Sequence, residues 1–416
     1  MTAVLFEDPG VAQLYPVTVG KAAFTINCGG YRLAEQAATL DGPVCAIVRP
    51  HLRDVLASDW PELHLGLPKQ SDRLVLFINA RVVPSVAVGR ELRRLSGETT
   101  PSMVRVDGQL AAALVPPESM RGLEFATVDE VASHLDRLAL RPIEAALPLL
   151  EYPHDIVRHH LATVSDNLQA RLADGGYREL RDGVLAADGA KIGQHVVVDA
   201  SQGPIVLEEG ASIGPYCFLR GPVHVGRNAR VIEHSALKDG VVLGHTTKIG
   251  GEVEASIVEP YSNKQHHGFL GHSYLGSWIN LGAGTCNSDL KNTYGPVNMI
   301  YRDQKVPTGM QFLGSIIGDY AKTAINTGIF TGKTIGVCSM VYGFVTTNVP
   351  SFVNYARLFG QVTATPVEVM VAAQARMFQR RGVTQRPCDA QLVREMFALT
   401  AHERELGSVP PEPLSL

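Results

Sequence analysis

The feature that most constrains the fold of this chain is a row of aliphatic residues spaced six apart. The row consists of Leu207, Ile213, Leu219, Val225, Val231, Leu237, Leu243 and Ile249. A helix repeats about every 3.6 residues and a strand about every two, so neither explains this period. The period suits a chain that winds in triangular coils of three short strands. The row therefore predicts a left-handed parallel β-helix, built from hexapeptide repeats, in which residues eighteen apart stack.

Two further observations describe the coils. Each of four glycines follows a member of the row, which predicts corners that need the unusual dihedrals of glycine: Gly214, Gly226, Gly244 and Gly250. The row resumes twice, the second time in a new phase, at Phe269, Leu275 and Leu281 and then at Ile317, Thr323, Ile329, Ile335 and Val341. The interruptions around 259–265 and 286–311 predict inserts, and inserts on such coils commonly carry binding surfaces.

Length and composition limit the class of protein. A chain of 416 residues is too long for one core and predicts two or three domains. With 45% hydrophobic and 19% charged residues, the composition is typical of a soluble globular protein. A net charge of −4 gives no reason to expect nucleic acid or an anionic membrane as a partner. We find no apolar run of about 18 residues, no signal-peptide pattern and no paired cysteine motif. These features predict a cytoplasmic protein.

Residues 1–150 have a different pattern from the coils. Short apolar runs at 4–6, 45–48 and 74–78 predict buried strands, and the stretches 52–56 and 87–95 predict helices between them. Alternating strands and helices are typical of an α/β domain with a mostly parallel sheet. We therefore predict an α/β domain over 1–150.

The remaining chain divides into three predicted parts. Residues 151–183 have helical spacing and predict a helical linker, and 184–350 contain the β-helix. Residues 351–416 are predicted to form a helical C-terminal extension, with amphipathic helices over 366–380 and 390–404.

Several motifs give this chain a family resemblance. They are YSNKQH at 261–266, GFLG at 268–271, NLGAGT at 280–285, NSDLKNTYG at 287–295, GDYAKT at 318–323, LFED at 5–8, LYPVT at 14–18 and FINAR at 77–81. On these motifs the chain resembles the bifunctional UDP-N-acetylglucosamine diphosphorylase/glucosamine-1-phosphate N-acetyltransferases. The resemblance is closest to their shorter, alternative bacterial form, a sugar nucleotidyltransferase type.

The resemblance implies a function. It implies an acyltransferase that moves an acetyl group from acetyl-CoA to an amino-sugar phosphate, with glucosamine 1-phosphate as the expected acceptor. It also implies a second activity in the α/β domain, which would be a nucleotidyltransferase that uses UTP and Mg²⁺. Relatives of this kind form homotrimers that bind the coenzyme in the groove between neighbouring chains, so a homotrimer is expected.

The acetyl transfer needs a base to remove a proton from the amine, and histidine suits that role at neutral pH. By resemblance, the base is a His three residues before a Tyr/Phe-Leu-Gly step, which places it at His266. His267 is the alternative if the alignment shifts by one residue. Asn287 is the second expected catalytic residue. The family commonly has tyrosine at the expected substrate-binding position Phe269, and phenylalanine cannot donate a hydrogen bond.

Other expected roles also come from the resemblance. Arg220 would grip the sugar phosphate, because a guanidinium group binds phosphate oxygens in pairs. Asn280 would orient the sugar, and Lys291 would add positive charge near the phosphate. The residues expected to contact the coenzyme are Ala283, whose N–H would polarise the thioester carbonyl, with Lys322 and Thr323.

Some residues depart from the family pattern. Glu252 and Glu254 stand where the bifunctional enzymes have lysine, and a carboxylate there would repel phosphate. In the α/β domain only Lys21 remains of the basic residues expected to contact a triphosphate. Asn79 stands where an Mg²⁺-binding Asp is typical, and its neutral amide is a weak Mg²⁺ ligand. This domain could therefore be a degenerate one that only binds or stabilises.

Two other classes of function stay open on the sequence alone. The same coil fold occurs in zinc-dependent γ-class carbonic anhydrases, and His267 and His272 with His234 or His245 could supply three such ligands. A non-catalytic scaffold that binds a sugar nucleotide is the second alternative. The main prediction, an acyltransferase, includes no metal site in the β-helix.

Overall fold

The structure is a computed structural model that describes residues 1–69, 71–125, 127–181, 183–411 and 414. The chain separates into two compact units. The first consists of Met1–Leu14 and Gly20–Asp155, and the second of Tyr15–Val19 and Ile156–Leu416.

The first unit is built around a seven-stranded sheet. Its strands, β1 to β7 in chain order, are Ala3–Phe6, Val44–Ile47, His64–Leu65, Val75–Asn79, Ser102–Val106, Gln109–Val115 and Arg141–Pro142. Its helices, α1 to α4, are Leu33–Ala37, Arg53–Asp59, Val86–Ser96 and Val128–Arg137. Short 3-10 helices lie at Pro9–Leu14, Ala23–Thr25, Pro50–Leu52 and Pro117–Met120. The strand order is β3-β2-β1-β4-β6-β5-β7, with β1 parallel to both neighbours. The sheet is therefore mixed, with a parallel half.

The parallel half brings several polar residues to one edge. Strands β1, β2 and β4 run in the same direction, so their carboxyl ends meet at one edge of the sheet, where ligands commonly bind in such folds. Glu7 and Asp8 follow β1, Arg49 follows β2, and Arg81 follows β4.

The second unit is a coil of three mainly parallel sheets, which we call faces I, II and III; of their described strand pairs, only the end pairs Arg178–Arg181 with Val184–Ala186 and Val353–Ala356 with Gln361–Ala364 are antiparallel. Face I contains Arg178–Arg181, Val184–Ala186, Ile205–Leu207, Val223–Val225, Val241–Leu243, Ile257–Val258, Tyr274–Leu275, Ser315–Ile317 and Lys333–Ile335. Face II contains Lys191–Ile192, Ser212–Ile213, Arg230–Val231, Lys248–Ile249, Asn263–Lys264, Lys322–Thr323, Met340–Val341, Val353–Ala356 and Gln361–Ala364. Face III contains Val197–Asp199, Phe218–Arg220, Ala236–Lys238, Glu252–Glu254, Phe269–Gly271, Cys286–Asn287, Gly328–Ile329 and Phe344–Val345.

The aliphatic row lies inside this coil. All eight members are at most 3% exposed and belong to one hydrophobic cluster. Residues eighteen apart pair in neighbouring strands, as in Leu207 with Val225 and Ile213 with Val231. The fold class, an α/β nucleotidyltransferase-like domain plus a left-handed parallel β-helix with helical C-terminal elements, is confirmed.

The glycines after the row have a different cause from the one expected. Gly214 and Gly250 have no positive φ; instead, a Cβ would lie 2.5 Å from the nitrogen of Glu233 and 2.1 Å from the carbonyl oxygen of Gln265. Close approach between coils therefore requires glycine. The left-handed dihedrals occur two residues later, at Tyr216 with φ 58° for example.

The first interruption of the row is a short corner and not an insert. Inward positions Ile249 and Val253 are only four residues apart, because the corner at Gly250–Gly251 lacks two residues of the usual six-residue step. The stretch 259–265 belongs to a regular coil, so the predicted insert there is wrong. The inward residue of Phe269–Gly271 is Leu270, which pairs with Val253, and not Phe269.

The second interruption is a true insert. It leaves the stack after Cys286–Asn287 and contains an antiparallel hairpin of Asn298–Tyr301 and Gln304–Pro307. The chain rejoins face I at Ser315–Ile317.

Helices cover parts of the coil. Helix α5 (Pro153–Ala173) packs Val164 and Leu168 against Val206 and Val242 on face I, so the predicted linker helix is part of the packed second unit. The C-terminal helices are α6 (Val367–Arg380), α7 (Pro387–Leu399) and α8 (Ala401–Leu406), and a last 3-10 helix lies at Arg357–Phe359. Face II continues beyond residue 350, because the buried Tyr355 extends the core cluster there.

Within the described part of the chain, none of the helices has the length and apolar character needed to cross a bilayer.

Candidate active site

The corner between faces II and III at residues 265–268 carries both candidate bases. His266 and His267 are exposed. The N–H of Gly284, in the next coil, donates to the carbonyl of His267 at 3.1 Å. On the other side, a Cβ on Gly251 would lie 3.0 Å from Cα of His267. Neighbouring coils thus hold the backbone of this corner on both sides, while the imidazoles face solvent.

A buried lysine supports the same corner from inside the coil. Lys264 takes the inward position above Ile249 and is only 2% exposed. Its ammonium Nζ donates to the carbonyls of Gly250 at 2.8 Å, Gly268 at 2.5 Å and His266 at 3.4 Å. Burial lowers the pKa of Lys264 to about 8. The sequence analysis missed this residue, which fixes the backbone on both sides of the two histidines.

The start of the next strand lies beside the corner. Phe269 points outward on face III and is partly exposed, and its N–H donates to Sγ of Cys286 at 3.3 Å. The ring of Phe269 lies over Gly271, where a Cβ would be 2.5 Å from Cζ of Phe269. This position leaves Phe269 next to the histidine corner, as a substrate-binding role requires.

Asn287 lies inside the coil and not on the surface. It is 6% exposed, and its Oδ1 accepts from the N–H of Gly271 at 2.9 Å. Its Nδ2 donates to the carbonyl of Gly271 at 3.0 Å and contacts Oγ of Ser273 at 3.3 Å. The side-chain amide of Asn287 thus makes the hydrogen bonds to the backbone of Gly271 that a neighbouring strand would otherwise make. This geometry favours a structural role over the predicted catalytic one.

Arg220 lies far from the histidine corner within one chain. In the next three coils, the same position on face III is taken by Lys238, then Glu254, then Gly271. Three strand spacings of about 4.8 Å put it roughly 14 Å from the coil of Gly271. Its Nε donates to Asp239 at 2.6 Å, and this hydrogen bond raises the pKa of Arg220. The structure does not bring Arg220 to the base in one chain.

The cation closest to the corner on that face is also paired. Lys238 donates to Glu252 at 2.6 Å and forms an ion pair with Glu254 at 3.1 Å. These contacts raise the pKa of Lys238, first through the hydrogen bond to Glu252. The two glutamates that depart from the family pattern therefore neutralise a lysine.

The four residues expected near the coenzyme or sugar separate into exposed and buried ones. Asn280 is exposed on face II, where it bridges Asn263 and Lys322. Ala283 is partly exposed at the corner of the next coil, and its carbonyl accepts from Asn326. Lys322 is partly exposed, and its Nζ donates to the carbonyl of Tyr320 at 3.0 Å. These three residues lie within one or two coils of His266.

Thr323 differs from these three. It is 8% exposed, and its Oγ1 accepts from the N–H of Gly282 at 3.0 Å and contacts Oγ1 of Thr285 at 2.7 Å. Its side chain faces the interior, so the expected contact with the coenzyme groove is corrected to a structural contact.

Lys291 lies in the second insert and is partly exposed. A Cβ on Gly295 would be 3.7 Å from its Nζ, so the ammonium lies over the same loop. The positive charge of Lys291 therefore lies on the insert that follows Asn287 along the chain.

Within one chain, the histidines of the zinc alternative do not meet. His267 lies at one end of the strand Phe269–Gly271 and His272 at the other, where its Nδ1 lies 2.8 Å from Asp289 and its ring stacks on Phe312. Among the described residues, no group of three or more His, Cys, Asp or Glu side chains is arranged to hold a metal.

The carboxyl edge of the first unit is closed by an ion pair. Arg49 donates to the fully buried carboxylate of Glu7 through Nε at 2.9 Å and Nη2 at 3.0 Å. Arg49 also donates to the carbonyl of Lys21 at 3.0 Å. The segment expected to contact a triphosphate is therefore held by its backbone, and Lys21 is partly exposed.

A second ion pair lies at the neighbouring position. Arg81 is 2% exposed and donates to both oxygens of Asp8 at 2.8 and 2.7 Å. Asn79 is fully buried, with Nδ2 donating to Asp8 at 2.8 Å and Oδ1 accepting from the N–H of Arg81 at 2.9 Å. Mg²⁺ prefers carboxylate oxygens in open octahedral sites, so these residues do not fit a Mg²⁺ ion as arranged.

Comparisons with known proteins agree with this architecture. Residues 3–173 match the sugar nucleotidyl transferase family. Together with two curated relatives, this match confirms the resemblance inferred from the motifs. A bifunctional protein GlmU of Methanococcus aeolicus is 31% identical over 153 residues, which cover 36% of each chain. A bifunctional sugar-1-phosphate nucleotidylyltransferase/acetyltransferase of Sulfurisphaera tokodaii is 29% identical over 143 residues, covering 34% of this chain and 36% of its own.

The coverage of these matches is partial. The chain spans about a third of the length of these two curated relatives. Among solved structures, the UDP-N-acetylglucosamine acyltransferase of Francisella novicida aligns over 53% of this chain and 78% of its own, with 17% identity. The TM-score of 0.27 is too low to support an argument.

Proposed function

We propose that this chain is an acetyl-CoA-dependent N-acetyltransferase with an amino-sugar phosphate as acceptor, most specifically glucosamine 1-phosphate. The observation that carries the proposal is the corner at 265–268, where His266 is exposed while the buried Lys264 and the neighbouring coils hold its backbone. A fixed backbone beside an exposed imidazole suits general base catalysis. The names of the related proteins, a bifunctional nucleotidylyltransferase/acetyltransferase among them, support the same reaction.

The mechanism follows from the chemistry of the groups. The amine nitrogen of the acceptor attacks the thioester carbonyl carbon, and the bond from that carbon to sulfur breaks. His266 takes the proton from the amine and returns it to the leaving thiolate, so no acyl-enzyme forms. The N–H of Ala283 would donate to the oxygen on which negative charge develops. Phe269 and Asn280 would contact the acceptor.

The phosphate of the acceptor needs cations that are not already neutralised. Arg220 and Lys238 are both paired with carboxylates, whereas Lys291 lies on the insert near the coil of Asn287. We therefore assign the phosphate to Lys291 in the first place. Lys322 is assigned to the coenzyme.

The first unit has a second candidate function, sugar-1-phosphate nucleotidyl transfer from UTP. The match of residues 3–173 to sugar nucleotidyl transferases favours it. The ion pairs of Glu7 with Arg49 and Asp8 with Arg81 oppose it, because they neutralise the carboxylates that a Mg²⁺ ion would need at this edge. A binding or stabilising role agrees better with this geometry.

We also propose a homotrimer with the coenzyme between neighbouring chains. Exposed apolar side chains on face III and the adjoining corner support an interface, since Ile325, Phe330 and Phe344 are each more than half exposed. Light scattering after size-exclusion chromatography should give three times the mass of 44.8 kDa.

One assay tests both activities. The full chain is incubated with glucosamine 1-phosphate, acetyl-CoA, UTP and Mg²⁺, and the products are identified by mass. We expect N-acetylglucosamine 1-phosphate without UDP-sugar. The absence of any acetylated product from glucosamine 1-phosphate, glucosamine or UDP-glucosamine would contradict the acetyltransferase proposal.

A further inference from the structure

A cluster of cations on face II takes no part in the site described above. Its members are Arg230, Lys248, Arg380 and Arg381, which we call the basic patch. Arg230 and Lys248 are paired in adjacent coils, so their backbones are about 4.8 Å apart. Both point outward, because the next residue of each strand, Val231 or Ile249, is buried in the core.

The other two cations come from the end of helix α6, which several contacts hold on the coil. The ring of Phe378 stacks on Trp278 with centroids 4.3 Å apart, and Trp278 stacks on Tyr261 at 4.1 Å. Earlier in the helix, Gln374 donates to the hydroxyl of Tyr320 at 3.1 Å. These contacts fix the end of α6 next to face II.

Arg381 itself contacts the coil. One of its guanidinium nitrogens donates to Oδ1 of Asn263, which follows Lys248 in the same column of face II. The strands of face II and the end of helix α6 thereby place lysine and arginine side chains on one surface. Asn263 also lies in the same coil as His266, three residues before it.

The patch lacks compensating negative charge. Over the described ranges, none of its four cations forms an ion pair with a carboxylate, whereas Arg220 and Lys238 on face III do. Desolvation and then the guanidinium groups of Arg381 and Arg230 lower the pKa of Lys248. Desolvation and the neighbouring arginines likewise lower the pKa of Arg381. Like charges are therefore held together in a partly desolvated place.

Helix stability explains only half of the patch. Cations at the C-terminal end of a helix interact favourably with its dipole, which accounts for Arg380 and Arg381. It does not account for Arg230 and Lys248, which are on strands. A bound anion would account for all four, because charged hydrogen bonds to phosphate oxygens offset the repulsion between them.

We propose that the basic patch binds the diphosphate group of an organic ligand, either a nucleotide or coenzyme A. Four cations are enough to neutralise the charge of a diphosphate, and arginine binds phosphate oxygens in pairs. The inference concerns binding alone. It therefore stands or falls separately from the acetyl transfer proposed above.

The first experiment uses inorganic pyrophosphate as the probe. The chain contains two tryptophans, Trp60 and Trp278, so Trp60→Phe leaves a single reporter that stacks against α6. We expect saturable binding in about 0.1 M salt and weaker binding at about 1 M, where charges are screened within about 3 Å. Calorimetric titration of the unmodified chain checks the fluorescence result. A lack of saturable binding by both methods would overturn the proposal.

Variants then locate the site. R230Q and K248Q should each weaken pyrophosphate binding about tenfold, as expected for the loss of one charged hydrogen bond. The matched control is K191Q, which removes the same charge from the same column of face II but lies two coils from Arg230, on the side away from Lys248. Thermal unfolding verifies that each variant folds. Equal weakening in K191Q, or none in R230Q and K248Q, would overturn the location.

Competition identifies the source of the diphosphate. Coenzyme A and UDP are each titrated against bound pyrophosphate in the natural sequence and in K248Q. A competitor whose affinity falls about tenfold in K248Q is assigned to the patch. If neither displaces pyrophosphate, the proposal of an organic diphosphate ligand is wrong.

Discussion

Two regions of this molecule place charged side chains in buried surroundings, with opposite results. In the first unit, Glu7 and Arg49 bind each other at the carboxyl edge of the sheet. In the coil, Lys264 forms no ion pair with a carboxylate of the described residues, and its ammonium donates to backbone carbonyls instead. The ion pair closes a place where ligands bind in related folds, whereas the lysine fixes a corner and leaves His266 exposed.

The difference concerns what a buried charge is used for. An ion pair satisfies both of its members, so nothing remains to attract a substrate. A lone ammonium that binds three carbonyls holds the backbone rigid while the side chains of that backbone remain available. The comparison therefore assigns stability to the charges of the first unit and activity to the charges of the corner.

The largest expected effect is that of the base. His266→Gln should lower kcat by roughly 10²–10⁴-fold, because general base catalysis contributes about that much. Thiol release from acetyl-CoA in the presence of glucosamine 1-phosphate measures it. His267→Gln is the matched control and should retain most of the activity. If only His267→Gln loses activity, the base is one residue later than proposed.

Breaking the buried ion pair should affect stability. Arg49→Met leaves the Glu7 carboxylate buried without its partner, which costs about 3–5 kcal/mol of unfolding free energy. Urea unfolding followed by circular dichroism measures the change. The double variant Glu7→Gln with Arg49→Met removes both charges and should recover part of the loss. A single variant as stable as the natural protein would break the assignment of stability to this pair.

Replacing the buried lysine should affect activity. In Lys264→Met the corner at 265–268 loses three hydrogen bonds, and a displacement of about 1 Å can lower kcat by about 100-fold. KM should change much less, because no substrate contact is removed. Leu281→Met is the matched control, since Leu281 occupies the inward position of the next coil and is 3% exposed. Equal losses in both variants would indicate a general packing effect.

The last expected effect is a dependence of stability on pH. The pKa of Lys264 is about 8 in the folded chain and near 10.5 when exposed. Between these values the unfolded chain binds more protons, so stability rises with pH. Relative to Lys264→Met, the natural chain should gain about 3 kcal/mol from pH 8 to 10.5, at about 1.4 kcal/mol for each pH unit. Parallel stability profiles for the two chains would contradict a buried ammonium.

The sequence predicted the coil because every coil repeats the same geometry. Leu207 and Val225 must stack if each strand adds one inward residue per six, and they do. The predicted six-residue spacing fails beyond Ile249, because the short corner shifts the inward positions. The prediction therefore placed Phe269 inside the coil, where the structure has Leu270. Counting the step of four at Gly250–Gly251 and the step of five from Val253 to Val258 would have placed Lys264 inside.

Contacts between distant segments could not be predicted in this way. Asn79 was recognised as a poor Mg²⁺ ligand, but its bonds to Asp8 and Arg81 depend on how separate strands end at one edge. Asn287 was expected to be catalytic because of its place in the family motif, whereas in the structure its amide is bonded to the backbone of Gly271. The ion pair of Arg220 likewise depends on Asp239 in the neighbouring coil.

The corner at Gly250–Gly251 has a consequence for how such an enzyme could diversify. It omits two residues without disturbing the stacking of Ile249 under Lys264 or of Val253 under Leu270. The length of a corner can therefore change in this architecture without changing the packing of the interior. Shortening or lengthening one turn can change the surface beside a neighbouring reactive group, while each inward residue keeps its stacking partner in the next coil.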